Sequence, residues 1–295
     1  MAGKTMKKDW DSRIFDGINV ALLLAFTAII IIPIWNVLIS SLTSGPTLTS
    51  GNFIFWPQEM NFDNYRAVLS DPTLGRAAWV SVARTLIGST TSVLFTSFVA
   101  YGLSKRNLRG RKLYTTIFVI TMFFGGGMIP TFILIRSLGL LDSFWVYIIP
   151  GLFSYWNVII LMNFFRGIPD SLEEAAEIDG AGYWRIFFTI ILPLSKPALA
   201  TIALFSGVGH WNDFMTTRIY ISSRREDLHT LAYRVFRIIE RAEVAESANI
   251  PIAIETTSRG IQLATIVVTT LPIILVYPFL QKYFVSGMTL GAVKE

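Results

Sequence analysis

The sequence predicts an all-α integral membrane protein with six transmembrane helices. The chain has 295 residues, of which 53% are hydrophobic and only 15% are charged, and its mean hydropathy is +0.54. Soluble domains of this length are far less apolar. The apolar residues form continuous runs, whereas a transmembrane barrel strand alternates apolar and polar residues. The spanning elements are therefore predicted to be helices.

Six stretches are long enough, or nearly long enough, to cross a bilayer core of about 30 Å, which needs roughly 20 helical residues. The predicted spans are residues 17–42, 77–103, 113–135, 144–165, 197–217 and 262–284. The third contains Gly125-Gly126-Gly127 shortly before Pro130, which predicts a kink or a close helix contact. The fifth is interrupted by Gly207 and by polar residues from His210 to Asp213.

Basic residues predict how the chain is oriented. Lysine and arginine precede the first span and crowd the loop after the second, at Lys4, Lys7, Lys8, Arg13, Lys105, Arg106, Arg109, Arg111 and Lys112. Short cytoplasmic loops are rich in these residues. With an even number of spans, both termini are then cytoplasmic, and the first helix is read as an uncleaved span. The basic pI of about 9.4 follows from this topology and requires no nucleic-acid partner.

The predicted organisation has one transmembrane domain between two cytoplasmic ends. Residues 1–16 form the N-terminus, residues 17–286 the six-helix domain, and residues 287–295 the C-terminal tail. Within the domain, residues 167–196 form a cytoplasmic loop and residues 218–261 an outer loop. Cysteine is absent from the sequence, which excludes disulfides and thiol chemistry.

The loop of residues 167–196 carries the most specific pattern. It reads Glu174-Ala175-Ala176, three residues, Gly180, nine residues, and then I-x-L-P ending at Pro193. Ser171 with Glu174 forms a capping-box signature for the start of a short helix. Gly180 suits the left-handed turn that ends it. A second helix is predicted from Tyr183 to Ile190, limited by Leu192-Pro193 and Pro197. Taken alone, Ser171 and Glu174 also fit an ordinary amphipathic helix.

The full spacing resembles, without a gap, the cytoplasmic loop of permease subunits in bacterial ATP-binding-cassette (ABC) importers. Over nearly its whole length the chain is similar to the second permease of carbohydrate importers, the maltose-permease-like family. Trp211-Asn212-Asp213-Phe214 matches the W-N-x-F segment of that family. The tail from Tyr277 to Glu295 resembles the subgroup that serves larger oligosaccharides, including uronate oligomers such as alginate.

This resemblance implies a membrane complex with several partners. They are a second homologous permease in a heterodimer, two cytoplasmic ATPase subunits and an external solute-binding protein, in the bacterial cytoplasmic (inner) membrane with an oligosaccharide as cargo. The residues expected to couple the chain to the ATPase are Glu174, Ala175, Ala176, Asp179, Gly180, Leu192 and Pro193. No GxxxxGK[ST] phosphate loop occurs in the sequence. ATP and Mg²⁺ are therefore expected on the partner ATPase, and this chain is expected to have no cofactor, metal site or catalytic residue.

Polar side chains at membrane depth are the candidates for a substrate path, because they are costly in lipid and usually face a cavity. These candidates are Arg84, Trp156, Asn157, Asn163, His210, Trp211, Asn212 and Asp213. The two tryptophans could stack on sugar rings. Alternatives remain open, since the asparagines at 157 and 163 could bond neighbouring helices, Arg84 could extend to the outer interface, and Trp211 could belong to the interfacial aromatic belt.

The basic residues on the predicted outer side are all arginines. They are Arg66, Arg76, Arg84, Arg136, Arg218, Arg224, Arg225, Arg234, Arg237, Arg241 and Arg259. Arginine binds carboxylates in a two-point geometry, which suits acidic sugars or an acidic docking surface. The acidic residues of the same outer loop could instead pair with these arginines locally. Those residues are Glu226, Asp227, Glu240, Glu243, Glu246 and Glu255.

Two other functions compete with an ABC permease. A secondary transporter or channel would need no ATPase, but usually carries several charged groups within its spans, and only Arg84 and Asp213 qualify here. A membrane-embedded enzyme could use His210 as a base oriented by Asp213, three residues away on one helix face. The sequence offers no matching nucleophile or metal cluster.

Overall fold

The computed structural model describes residues 10–43, 53–57, 60–247 and 258–292. Within these ranges the chain is helical and contains no strand, and the predicted all-α class is confirmed. The predictions for Lys4, Lys7, Lys8, Glu255 and residues 293–295 lie outside the described residues.

The helices are numbered here in chain order. They are α1 Trp10–Ser41, α2 Asp63–Ser70, α3 Pro72–Ser104, α4 Arg111–Phe123, α5 Met128–Ser137, α6 Tyr155–Arg166, α7 Asp170–Ile178, α8 Tyr183–Leu194, α9 Lys196–Asn212, α10 Met215–Tyr220, α11 Leu231–Ser247 and α12 Ser258–Ala292. Short 3-10 turns occupy Phe144–Tyr147 and Glu226–Leu228.

The chain forms two compact units. The first comprises residues 1–70 and 241–268, and the second residues 71–240 and 269–295. In the first unit, the Asn64 amide of α2 donates to the Ser41 carbonyl at the end of α1, at 3.2 Å. A Cβ atom on Gly260 would lie 2.6 Å from the Asn64 Oδ1, so a glycine permits this close approach of α12. Much of α1 remains bare, with Leu22 and Ile29 65% and 70% exposed, as expected for a surface that meets lipid.

The second unit is built around α3. Asp71 caps its first turn by accepting a hydrogen bond from the Thr73 N–H at 2.8 Å, and Pro72 occupies the first helical position, where its missing N–H costs nothing. Helices α6 and α9 pack along α3. The main core lies near the carboxyl end of α3, where Ala100, Val158 and Ile202 are fully buried.

Three predicted spans are not single helices. The third is broken at the glycine run, where the chain bends by 115° between α4 and α5. Gly127 has a φ of +85° there, so the predicted kink is a full break. The fourth consists of a 3-10 turn, an irregular segment containing Pro150 and Gly151, and the 12-residue α6. The proline removes a backbone donor and the glycine weakens helix, so the apolar run does not continue as one helix.

The fifth span is also divided. Helix α9 ends at Asn212, and the short α10 begins at Met215. Within the described residues, two helices are individually long and apolar enough to cross a membrane, residues 12–41 of α1 and α3. The bent pairs α4 with α5 and α8 with α9 raise the number to four if each pair is one span.

The helix that starts at Tyr183 runs past Ile190, where the sequence had predicted that it would end. It continues to Leu194 through a π-helical segment, Phe187–Ile191, and then bends by 81° into α9. Pro193 cannot donate a backbone hydrogen bond, and prolines and π-helical turns are both known causes of helix bending. The Ser195 N–H then bonds the Ile191 carbonyl at 3.0 Å, which restores the α-helical spacing.

Candidate functional site

The loop of residues 167–196, called the EAA loop below, forms the predicted pair of short helices. Helix α7 begins at Asp170 with Pro169 before it, and the Ser171 side chain makes no capping hydrogen bond. The capping-box prediction is therefore wrong. The carboxylates of Asp170 and Glu173 lie in the first turn instead. Their negative charges interact favourably with the positive end of the helix dipole.

The predicted end of α7 is confirmed in detail. Gly180 has a φ of +79°, the left-handed conformation that glycine adopts without strain. The Ala181 N–H bonds the Ala176 carbonyl at 2.9 Å, and the Gly180 N–H bonds the Glu177 carbonyl at 3.0 Å. This is the Schellman arrangement, which fixes the direction of the chain as it leaves the helix.

The residues predicted for coupling separate into two faces. Glu174, Ala175, Asp179 and Gly180 are exposed, as is Pro193. Ala176 and Leu192 are partly buried and pack against the main core. One alanine of the motif thus holds the helix on its own subunit, and the other remains on the accessible face.

The sequence did not indicate what holds α7 in place. Glu173, the neighbour of Glu174, forms an ion pair with Lys105 just after α3, and the Tyr101 hydroxyl donates to the Glu173 carboxylate at 3.3 Å. Burial lowers the pKa of Lys105, an effect that Glu177 and Asp170 oppose. The only available signal was a lysine two positions past a predicted span, which does not identify its partner.

A polar cavity of about 490 Å³ lies against the middle of α3. Arg84, Asn157, His210 and Asp213 line it, and these are four of the eight predicted path residues. Other polar lining groups come from residues the sequence analysis did not select: Ser92, Tyr147, Ser206, Thr216 and Tyr220. The wall offers hydroxyl, amide, imidazole, carboxylate and guanidinium groups, which suit hydrogen bonding to a polar ligand.

Arg84 is buried, with 2% of its surface exposed. It forms an ion pair with Asp213, donates to the Asp213 carbonyl at 2.8 Å, and lies 4.5 Å from the centre of the Tyr147 ring. The Asp213 carboxylate also accepts from the Thr216 N–H at 3.1 Å. Arg84 therefore does not extend to an outer interface. Asp213 is engaged with Arg84 and Thr216, which leaves little support for a catalytic pair with His210.

Gly88 makes room for His210, and Gly151 lies against the same ring. A Cβ atom on Gly88 would lie 2.5 Å from the His210 Nε2, and one on Gly151 would lie 3.5 Å from its Cε1. Gly88 belongs to α3 and Gly151 to the irregular segment before α6. No feature of the sequence connected either glycine with this histidine.

The other predicted path residues do not line the cavity. Trp156 is 60% exposed, and Asn163 and Asn212 are exposed. The Trp211 indole donates to the Thr269 carbonyl of α12 at 3.1 Å, so it contacts a neighbouring helix. Among the described residues, no group of three or more histidine, cysteine or acidic side chains could hold a metal ion.

Several arginines of residues 218–261 pair with nearby acidic side chains. Ion pairs form between Arg225 and Asp227 at 2.9 Å, Arg234 and Glu226 at 3.0 Å, and Arg218 and Glu240 at 3.6 Å. The alternative of local pairing is therefore confirmed for these residues. Such exposed pairs contribute little to stability, and they leave less free positive charge on this face than the sequence suggested.

The fold and the site define a class of protein: a helical membrane transporter with a polar cavity and a helical EAA loop. Residues 92–290 match the family described as binding-protein-dependent transport system inner membrane component. The chain is 41% identical over 283 residues to the polygalacturonan/rhamnogalacturonan transport system permease protein YtcP of Bacillus subtilis (strain 168), covering 96% of this chain and 99% of the relative. It is 39% identical to Protein LplC of the same organism, covering 98% of each chain.

A solved structure of an ABC transporter contains a chain that is similar to this one. The crystal structure of a bacterial ABC transporter involved in the import of the acidic polysaccharide alginate contains a chain with a TM-score of 0.85 and 34% identity, covering 95% of this chain and 100% of that one. The protein belongs to the binding-protein-dependent transport system inner membrane component family. It is a permease subunit of a bacterial ABC importer, as predicted, and an ATPase-independent transporter is not favoured.

Proposed function

We propose that this chain forms half of the path of an ATP-driven oligosaccharide importer. Its partners are a second, homologous permease in a heterodimer, two ATPase subunits and an external solute-binding protein. One observation carries the proposal: α7 presents Glu174 and Ala175 on an accessible face, while Glu173 connects the same helix to α3, which lines the polar cavity. Two connected helices, α7 and α3, thus link an ATPase-facing surface to a ligand-sized space.

The orientation follows from the charges. With Lys105, Arg106 and Arg109 in the cytoplasm, the EAA loop lies on the same side, and so do both termini. ATP and Mg²⁺ bind the ATPase subunits, because this sequence has no phosphate loop. The chain itself then contributes no cofactor site and no catalytic group.

The mechanism follows from which residues of the EAA loop are exposed and which pack against the core. Closure of the ATPase dimer on ATP displaces α7, which contacts it through Glu174, Ala175 and Asp179. Gly180 and Pro193 hold the loop in shape, and Ala176 and Leu192 transmit the displacement to the core. ATP shifts the transporter toward one conformation only to the extent that it binds that conformation more tightly. The loaded binding protein must favour the same outward-facing state.

The cargo is an acidic oligosaccharide of the uronate class. Support comes from YtcP, whose name specifies polygalacturonan and rhamnogalacturonan, and from the alginate importer. The cavity fits a polar, hydroxyl-rich ligand through Asn157, Ser206 and His210. Arg84 already has a carboxylate partner in Asp213, so the cavity offers hydrogen bonds with little net charge. Trp156, Asn163 and Asn212 remain candidates for contacts with the cargo elsewhere along the path.

The test is uptake by the purified complex in proteoliposomes with ATP inside and its binding protein outside. A galacturonate tetramer should be taken up faster than a neutral galactose tetramer and should stimulate ATP hydrolysis. Preference for the neutral tetramer would end the uronate assignment. Uptake that persists without the ATPase subunits would end the ATP-driven assignment.

A further inference from the structure

The carboxyl end of α3 is held by both helices of the EAA loop. Tyr101, Lys105 and Glu173 form one group, called the Glu173 cluster, in which the Lys105 ammonium lies 4.5 Å from the centre of the Tyr101 ring. The side chains of Lys105 and Glu173 are 32% and 16% exposed, so water screens their attraction only in part. From α8, the Phe187 ring lies 5.0 Å from Phe98 and 5.1 Å from Tyr101.

The contact of α3 with α7 and its contact with α8 differ in chemistry. The α8 contacts are apolar and belong to the main core, where Phe187 is 1% exposed. They resist separation through buried apolar area, an interaction that has no preferred direction. The α7 connection is an ion pair with a hydrogen bond, which depends on both distance and direction. It is therefore the polar, directional contact between α7 and α3, beside the apolar packing of Ala176 on the main core.

We propose that the Glu173 cluster makes α7 and α3 move as one body, so that a push on Glu174 reaches the cavity. This inference rests on the proposed function. Adjacent glutamates then have separate roles: Glu174 is exposed and faces the ATPase, and Glu173 faces inward and holds α3. Tyr101 and Arg84 are 17 positions apart, which is about 25 Å along a helix at 1.5 Å per residue. A rigid α3 carries the displacement over that distance.

The first test is a charge exchange. Glu173→Lys and Lys105→Glu each place like charges together, and each should lower the sugar transported per ATP by about tenfold, within the usual range of coupling energies. The double variant restores an opposite pair and should recover most of that ratio. The control is Arg106→Glu, which reverses an exposed charge one position away and should leave the ratio unchanged.

Two outcomes of the exchange would overturn the inference. One is an Arg106→Glu variant as defective as Lys105→Glu, which would show that only the net charge of the loop matters. The other is a double variant that assembles with all partners and still hydrolyses ATP without transport.

The second test needs no substrate and so separates this inference from the assignment of the cargo. The sequence has no cysteine, so Asn107→Cys and Ile178→Cys place the only two thiols of this subunit beside α3 and at the end of α7. Spin labels there, in a complex with cysteine-free partners, should report one distance with and without bound ATP. Adding Glu173→Lys should broaden it. A distance that changes on ATP binding in the otherwise unaltered subunit would show that the two helices separate and would overturn the inference.

Discussion

Gly88 offers the sharpest test of the cavity geometry, because His210 occupies the space that a side chain would need. In Gly88→Ala, the new methyl carbon would lie 2.5, 2.6 and 2.8 Å from three atoms of the imidazole. Non-bonded carbon atoms are comfortable at about 3.5–4.0 Å. The ring must therefore move by about 1 Å, and the side with room is the one toward Gly151, where a Cβ atom would still be at 3.5 Å.

The expected magnitude has two opposing parts. Overpacking of this kind costs about 1–3 kcal/mol, while replacing a helical glycine with alanine gains up to about 1 kcal/mol. A net loss of about 1 kcal/mol is expected for Gly88→Ala. The matched control is Gly75→Ala in the same helix, where nothing lies within 4 Å, so only the gain applies.

Two double variants make the reasoning specific. Gly151→Ala alone should be nearly neutral, but combined with Gly88→Ala it removes the space into which the ring escapes, so the loss should exceed the sum by about 0.5 kcal/mol or more. Gly88→Ala with His210→Ala should recover the stability. The measurement is thermal unfolding of the purified complex, together with uptake of the galacturonate tetramer. Equal midpoints for Gly88→Ala and Gly75→Ala would refute this account of the cavity wall.

Three further predictions concern other parts of the chain. Asp213→Asn leaves the buried Arg84 without its counter-ion and should cost about 3–5 kcal/mol, more than the double variant with Arg84→Met. Arg225→Met at an exposed pair should cost at most about 1 kcal/mol. Equal losses in thermal unfolding for the two single changes would contradict this prediction. Gly180→Val should uncouple ATP hydrolysis from uptake because its φ is +79°, while Gly182→Val, at a φ of −76°, should not, and normal uptake by the first variant would refute the role of the turn. Burial, helped by Arg234, lowers the pKa of His229, so its neutral form stabilises the fold at neutral pH and that stability should fall as pH drops below the ordinary histidine pKa of about 6.5; a His229→Gln variant with the same acid sensitivity would count against it.

The sequence predicted local structure best where it depends on residues that are adjacent in the chain. The end of α7 was predictable because Gly180 and the residues before it form a local turn with its own hydrogen bonds. The break at Gly125 to Gly127 had a local signal as well. Pro150 and Gly151 are a comparable local signal within the fourth span, which the prediction from hydropathy did not use.

Pairings between distant segments could not be predicted in the same way. Lys105 and Glu173 are 68 positions apart, and Arg84 and Asp213 are 129 positions apart. Each residue of the second pair was selected singly, because a charge within a span is costly, but that cost does not identify a partner. Gly88 gave no signal at all, since a helical glycine is equally consistent with open space, as at Gly75.

The separation of Arg84 from Asp213 has a consequence for how the protein is made. Synthesis runs from the amino terminus, so α3 enters the bilayer before Asp213 exists. Arg84 therefore crosses the insertion step without its counter-ion, at a cost of about 2.5–3.5 kcal/mol on the biological insertion scale. The ion pair can form only after α9 packs against α3. Until then, α3 carries an unpaired charge in the membrane. Arg84, which organises the finished cavity, thus depends on a segment made 129 residues later.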